Sequence, residues 1–64
     1  MAFAENLKRL RQQRGLTQQK LGEMAGVSQQ AILNFEKGKN NPNIVTGVNI
    51  AKALGVTCEE LVEG

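Results

Sequence analysis

The sequence has no histidine, tryptophan or tyrosine, and it has only one cysteine and one proline in 64 residues. A single cysteine cannot form an internal disulfide, and without histidine the chain has no set of zinc ligands, so we predict no metal and no cofactor. The commonest general base near neutral pH is also missing, and a chain of this length has little wall area for a substrate cleft. We therefore predict that the protein is not an enzyme and expect no small-molecule ligand.

Long apolar runs are also missing. No run approaches the roughly 20 residues that a membrane-spanning helix needs, and the first ten residues, MAFAENLKRL, mix charges instead of placing a basic segment before an apolar one. We therefore expect no membrane association and a cytoplasmic protein. The length leaves room for one domain, which we place at residues 1–64.

Charge is divided unevenly along the chain, although the net charge is only +2. Residues 1–41 hold seven of the eight basic residues and three acidic ones, whereas residues 42–64 hold one basic residue and three acidic ones. A polyanion is attracted to the first part and repelled by the second. The sequence therefore predicts a polarised molecule with one anion-binding end.

Apolar residues recur at helical spacing in segments that each end at a glycine, namely Gly15, Gly26, Gly38 and Gly55. Four helices are thus predicted, and Thr17, Ser28 and Asn43 are suitable N-caps for the last three of them. Thr57 and Glu60 have the spacing of a capping box, which predicts a short fifth helix. No alternating pattern indicates a strand, so the predicted fold class is all-α. The side chains predicted to face the core are Phe3, Leu7, Leu10, Leu21, Met24, Ala25, Ala31, Ile32, Phe35, Ile44, Val48, Ile50, Ala51, Leu54 and Leu61.

The most informative stretch is residues 17–37, where only Gly26 and Val27 separate the second helix from the third. Two short helices joined so tightly must cross, and this arrangement is the helix-turn-helix that places its second helix in the major groove of DNA. Gly22 agrees with a close approach at the crossing, where there is little room for a side chain. Glycine is tolerated there although, inside a helix, it costs about 1 kcal/mol relative to alanine. The alternative is an ordinary helical hairpin.

One face of the third helix is rich in amides. At about 100° per residue, Gln29, Gln30, Leu33, Asn34 and Lys37 share an arc opposite the apolar side of the helix. Amide side chains donate and accept in one plane, as pairing with N6 and N7 of adenine requires. The alternative is a solvated polar face without a ligand.

The segment LKRLRQQRGLTQQKLGEMAGVSQQAILNFEKGKNNP, followed by IAKALGV, resembles the Cro/repressor-type (XRE-like) helix-turn-helix family over nearly the whole chain. The resemblance implies a five-helix, lambda-repressor-like DNA-binding domain. It implies that Thr17 and Gln18 begin the helix that lies across the DNA backbone, with Gln18 on a phosphate. It further implies an ion pair between Arg11 and Glu36, and base contacts from Gln29, Gln30 and Asn34.

Three positions depart from the family pattern, which often has glutamate at Lys20, a polar residue at Leu33 and a core leucine at Gly47. Lys20 is either a further phosphate contact or a solvated lysine. Leu33, which we expect to be exposed, packs on a thymine methyl, contacts a partner protein or is a tolerated surface residue. Gly47 predicts a less stable monomer.

Further contacts to the DNA backbone are expected around the third helix. Ser28 begins this helix, and a polar cluster follows its C-terminal end, where side chains and loop amides can hold the sugar-phosphate chain. The alternative for the cluster is a plain solvated loop. Its members are Lys37, Lys39, Asn40 and Asn41.

These features predict a protein that binds double-stranded DNA in a sequence-specific manner, acts as a transcriptional regulator, with repression preferred, and works in the nucleoid. A module this small buries limited surface, so we expect a homodimer on a pseudo-palindromic operator. The candidate dimer contacts are Val56, Leu61 and Val62, which lie in the part of the chain with little positive charge. The alternative function is a protein-binding helical module, such as an antitoxin or a regulator subunit.

Overall fold

The computed structural model describes residues 3–63, so Met1, Ala2 and Gly64 of the predicted domain lie outside the described residues. The described chain is helical and contains no strand, which confirms the predicted all-α fold class. No helix in this range is long and apolar enough to cross a membrane. In chain order the helices are α1 (Phe3–Gln13), α2 (Gln18–Ala25), α3 (Gln29–Glu36), α4 (Ile44–Leu54) and α5 (Cys58–Glu63).

The helices begin at the capping residues that the sequence predicts. The side-chain oxygens of Thr17, Ser28 and Asn43 accept hydrogen bonds from backbone N–H groups in the first turns of α2, α3 and α4, over 2.8–3.0 Å. Thr57 and Glu60 form the expected reciprocal capping box, with each side chain accepting from the other residue's N–H group. Local sequence therefore sets where the helices start.

The helices pack around one apolar core. α2 contacts α3 and α4, α1 contacts α3 and α5, and α4 contacts α5. The ring of Phe3 meets the ring of Phe35 edge to face, with the centroids 6.5 Å apart. The buried apolar residues are Leu7, Leu10, Leu21, Ala25, Ile32, Phe35, Ile50, Ala51, Leu54 and Leu61.

Two of the predicted core residues are exposed, so the prediction was wrong for Met24 and Ile44, whose exposed fractions are 46% and 86%. Gly22 is buried in α2, and this turns the buried side of the helix away from Met24, which lies about 160° from Gly22 around the axis. Ile44 begins α4, where α5 and the N-terminal end of α1 leave an open groove. In both cases packing between helices, rather than periodicity, decided the exposure.

Two polar side chains tie distant parts of the chain together, and neither contact was predicted. The buried Asn6 donates from Nδ2 to the carbonyl oxygen of Leu61 over 3.0 Å, which joins α1 to α5. Arg14 donates from Nε to the carbonyl oxygen of Leu54 over 2.8 Å, so its positive charge lies at the C-terminal end of α4. These contacts fix α1 against the helices that follow the α2–α3 pair.

Candidate nucleic-acid interface

The corner between α2 and α3 depends on a glycine. The backbone N–H groups of Gly26 and Val27 both donate to the carbonyl oxygen of Gly22, and Gly26 takes a left-handed φ of 76°. A Cβ atom on Gly22 would lie 2.7 Å from the carbonyl oxygen of Val27, a distance that Cβ atoms do not show. The close approach predicted at this crossing is present, and it places α3 at a fixed angle to α2.

The outer face of α3 carries polar side chains, while its inner face carries Ile32 in the core. Gln29 and Gln30 are exposed, and Asn34 is half-buried. Leu33 is also half-buried, so the expectation that it is exposed was wrong. The face therefore presents two extended amides beside two side chains that are partly covered.

Two of these amides contact each other. Nε2 of Gln30 donates a hydrogen bond to Oδ1 of Asn34, one helical turn later, over 3.1 Å. A primary amide has two N–H groups and one carbonyl, so Gln30 keeps one N–H group and its carbonyl oxygen for another partner. The face can thus offer a donor and an acceptor side by side.

A largely buried ion pair holds α3 against α1. Arg11 donates from Nε to Oε2 of Glu36 over 2.6 Å and from Nη2 to Oε1 over 3.2 Å, and the two side chains are 11% and 4% exposed. Two further hydrogen bonds complete the network: Nη1 of Arg11 donates to the carbonyl oxygen of Leu16, and Nε2 of Gln18 donates to Oε1 of Glu36, which also accepts from Arg11. Because the buried charges are both paired and hydrogen-bonded, the network links α1, α2 and α3 without an uncompensated charge.

The N-terminal ends of α2 and α3 carry exposed hydroxyl groups. Thr17 and Ser28 each accept one backbone N–H with the side-chain oxygen, which leaves the hydroxyl hydrogen free to donate. A helix N-terminus also carries partial positive charge. Both ends are therefore suited to an anionic oxygen.

A polar loop follows α3. Gly38 has a φ of 75°, and the N–H group of Lys39 donates to the carbonyl oxygen of Asn34 over 3.0 Å, so the loop folds back on the end of the helix. Elsewhere, Nζ of Lys20 lies 4.0 Å from Oε1 of Glu23 at the surface, and such an exposed ion pair contributes little to the stability of the fold. The loop residues predicted to bind are all exposed, namely Lys37, Lys39, Asn40 and Asn41.

A second feature is an apolar groove of about 540 Å³ beside this loop. Of the candidate dimer contacts, Val62 lines the groove, whereas Val56 is half-buried against the core. Leu61 also lines the groove but is only 2% exposed, because α5 turns most of its side chain into the core, so Leu61 stays a predicted contact at the base of the groove. The groove is lined chiefly by Phe3, Pro42, Ile44, Val48, Cys58 and Val62.

Sequence reasoning missed two of these contacts. Gln30 and Asn34 stand four residues apart in a helix, a spacing that could have indicated their hydrogen bond. The bond from Gln18 to Glu36 joins residues 18 apart, and no local pattern indicates it. Residues 3–63 contain no cluster of side chains suited to a metal ion.

Comparison with known proteins supports the same interpretation. Residues 7–61 match the family model described as Helix-turn-helix. The chain is 44% identical over 57 residues to an uncharacterized HTH-type transcriptional regulator, y4dJ, of Sinorhizobium fredii, covering 89% of this chain and 74% of that protein. It is 42% identical over 64 residues to the HTH-type transcriptional activator BcrR of Enterococcus faecalis, covering all of this chain but only 31% of that protein.

The fold is also similar to a solved structure, the P22 c2 repressor protein in complex with synthetic operator 9T. The TM-score is 0.95 at 30% sequence identity, and the match covers all of this chain and 97% of the other. The family match spans most of the sequence, including the whole α2–α3 pair. The chain belongs to the helix-turn-helix family, as the residues from Thr17 to Gly38 indicated.

Proposed function

We propose that this protein binds duplex DNA at specific sequences through α3 and thereby regulates transcription. The observation that carries the proposal is the amide-rich outer face of α3, held in place by the largely buried pair of Arg11 and Glu36. The fold it shares with the P22 c2 repressor, which was solved in complex with an operator, supports the same function. Relatives named as transcriptional regulators support a binding protein rather than an enzyme.

In this proposal α3 lies in the major groove and four side chains meet base edges. Gln29, Gln30 and Asn34 donate to and accept from the bases, and Leu33 contacts a thymine methyl with the part of its side chain that is exposed. The alternative is a protein-binding module that uses Leu33 and its neighbours to hold a protein. The partial burial of Leu33 leaves this module less exposed apolar surface than the sequence predicted.

Contacts to the sugar-phosphate backbone come from both sides of α3 and set the register of the protein on DNA. At the N-terminal ends of the helices, hydroxyl hydrogens and the second amide N–H of Gln18 are free to donate to phosphate oxygens. The exposed cations add the electrostatic attraction that dominates affinity. The backbone contacts we propose are Thr17, Gln18, Lys20, Ser28, Lys37, Lys39, Asn40 and Asn41.

The test of this function is selection of bound fragments from random duplex DNA, followed by footprinting on the selected site. Gln29→Ala is expected to lose about 1–3 kcal/mol on that site and little on random DNA, because it removes a base contact only. Gln13→Ala, an exposed glutamine on α1, is the matched control and should change neither affinity. Equal losses on both DNAs in Gln29→Ala would refute base reading.

We further propose that the protein acts as a homodimer through the apolar groove, on a pseudo-palindromic operator. The groove adjoins the loop after α3, so a second copy seated there would lie beside the proposed DNA-binding end of the molecule, as a dimer on two adjacent half-sites requires. Among residues 3–63 no charged side chain lines the groove, so two identical copies can meet there without repulsion between charged side chains. Val62 and Ile44, which is 86% exposed, are the proposed main contacts, and Leu61 lies at the base of the same groove.

Sedimentation of the wild type and of Ile44→Asp tests the dimer. The variant is expected to shift the equilibrium to monomer while keeping its helical circular dichroism, since Ile44 makes little contact within the chain. Met24→Asp is the matched control, because Met24 is an exposed apolar residue on α2, away from the groove. A dimer that persists in Ile44→Asp would rule out this interface.

We also propose that the protein represses transcription rather than activating it. We expect it to lie in the cytoplasm, associated with the nucleoid, where its operator is. The likeness to the P22 c2 repressor supports repression, whereas the relative BcrR is named as an activator. A reporter gene placed behind the selected site decides between them. Lower expression with the wild type than with Gln29→Ala supports repression, and higher expression contradicts it.

A further inference from the structure

The two contacting amides on α3 differ in reach. Gln30 is exposed and has one more methylene group than Asn34, which is half-buried. Gln30 also spends one N–H group on Oδ1 of Asn34. Gln29 has no such partner one turn ahead, because the residue four positions later is Leu33, which has no acceptor in its side chain.

Orientation decides what a glutamine amide can read. A free amide rotates about its last torsion angle and so exchanges donor and acceptor positions, and ordering such a side chain costs conformational entropy. The acceptor oxygen of Asn34 favours the orientation in which the nitrogen of Gln30 faces Asn34. The carbonyl oxygen and the second N–H group of Gln30 then remain together for a base.

Adenine is the base that matches this pair of groups in the major groove. It offers a donor at N6 and an acceptor at N7, whereas guanine offers acceptors at both O6 and N7. With guanine, the carbonyl oxygen of Gln30 would face another acceptor and remain unpaired, which is costly in a desolvated interface.

We propose that Asn34 is a positioning residue which orients the amide of Gln30, and that Gln30, so oriented, reads an adenine in the bound site. The inference rests on the proposed function, since it requires α3 in the major groove. It revises one part of that function: Asn34 acts through Gln30 and does not specify a base pair of its own.

The test measures the affinities of the full chain and its variants for the selected site and for its three substitutions at each base pair. Gln30→Ala is expected to lose about 5- to 150-fold on the selected site and to relax the preference for adenine at one base pair. Asn34→Ala is expected to lose about 2- to 10-fold and to relax the preference at that same base pair. In the Gln30→Ala background, Asn34→Ala should change the affinity by less than about 2-fold, since its effect passes through Gln30.

Two further variants separate positioning from direct reading. Asn34→Asp keeps the acceptor for Gln30 but lacks an N–H donor and adds a negative charge, so affinity should fall on every DNA while the preference for adenine is retained. Gln29→Ala is the control, because it should relax the preference at a different base pair, and its fold-loss in affinity should multiply with that of Gln30→Ala.

Three results would overturn the inference. The first is that Asn34→Ala relaxes the preference at a base pair other than the one that Gln30 specifies, and the second is that its loss of affinity multiplies fully with that of Gln30→Ala. A preferred base other than adenine at the Gln30 position would refute the reading while leaving the proposed function intact. If the wild type enriches no common sequence from random DNA, the proposed function itself fails. The three substituted residues are exposed (Gln29 and Gln30) or half-buried (Asn34) on α3, and thermal melting of each variant verifies that it is folded.

Discussion

Gly22 and Gly47 both lie inside helices, yet their surroundings are opposite. A Cβ atom on Gly22 would collide with backbone atoms of Val27 and Ser28, whereas a Cβ atom on Gly47 would only reach the ring of Pro42 at 4.0 Å. The corner between α2 and α3 therefore has no room for even one more methyl group, whereas the N-terminal part of α4 has room for one. The same contrast holds for exposure, since the two most exposed large apolar residues of the described chain, Ile44 and Val45, begin α4.

The difference between the two regions agrees with the two surfaces proposed above, one for DNA and one for a second copy of the chain. The α2–α3 corner is held by a tight backbone contact and a hydrogen-bonded ion pair, which keep a polar face in one orientation. The start of α4 leaves apolar side chains without partners in the described chain, beside a groove that carries no charge. A rigid polar face suits a polyanion of fixed geometry, and an open apolar face suits a protein surface.

The largest effect is expected from breaking the pair of Arg11 and Glu36. Glu36→Ala leaves the guanidinium of Arg11 without its partner in a mostly buried position, which typically costs about 3–5 kcal/mol and would unfold much of a domain this small. Urea unfolding measures the loss. Glu23→Ala, which removes the surface contact to Lys20, is the control and should cost about 1 kcal/mol or less. If the two variants lose comparable amounts of unfolding free energy, the buried pair of Arg11 and Glu36 does not contribute more to stability than a surface pair does.

Gly22→Ala is expected to be the next most severe change. The added methyl group meets backbone atoms that cannot move aside cheaply, and overpacking of this kind typically costs about 1–3 kcal/mol. Since the clash is at the joint between α2 and α3, DNA affinity should fall even below the melting temperature of the variant. A variant that melts and binds like the wild type would show that the close approach is not required.

Gly47→Ala should have the opposite sign. The added methyl group has room, and alanine in place of glycine in a helix interior gains about 1 kcal/mol. The melting temperature should therefore rise, measured at a low protein concentration to separate folding from dimerisation. A fall in stability would mean that the start of α4 is as tightly packed as the corner at Gly22.

The smallest effect concerns the loop after α3. Lys39→Ala is expected to leave stability unchanged and to lower the slope of log affinity against log salt by about one unit, because one phosphate contact is lost. Lys52→Ala, which removes an exposed cation on α4, is the matched control and should leave the slope unchanged. Equal slopes for Lys39→Ala and the wild type would remove the loop from the proposed interface.

The helix boundaries were predictable because they depend on local chemistry. Thr17, Ser28 and Asn43 cap the helices as their side chains and positions indicated. The exposure of Met24 and Ile44 was not predictable from periodicity, because it depends on how closely α2 approaches α3 and on where α4 begins relative to α5.

The candidate site shows the same division. The helix-turn-helix and its amide-rich face followed from spacing alone, and the pairing of Arg11 with Glu36, which the family resemblance implied, is present in the structure. The bond from Gln18 to Glu36 required the fold, since it joins α2 to the far end of α3. The sequence predicts an exposed Leu33, because nothing in it indicates how far neighbouring elements cover this residue, which the structure shows half-buried.

The central claim is that the outer face of α3 contacts bases, and NMR titration of the side-chain amides tests it most directly. The NH₂ signals of Gln29, Gln30 and Asn34 are expected to shift on addition of the selected duplex, and to shift much less with a scrambled duplex of the same length. The signals of Gln12 and Gln13 on α1 serve as internal controls. If the three α3 signals respond equally to both duplexes, or to neither, the helix does not read the sequence.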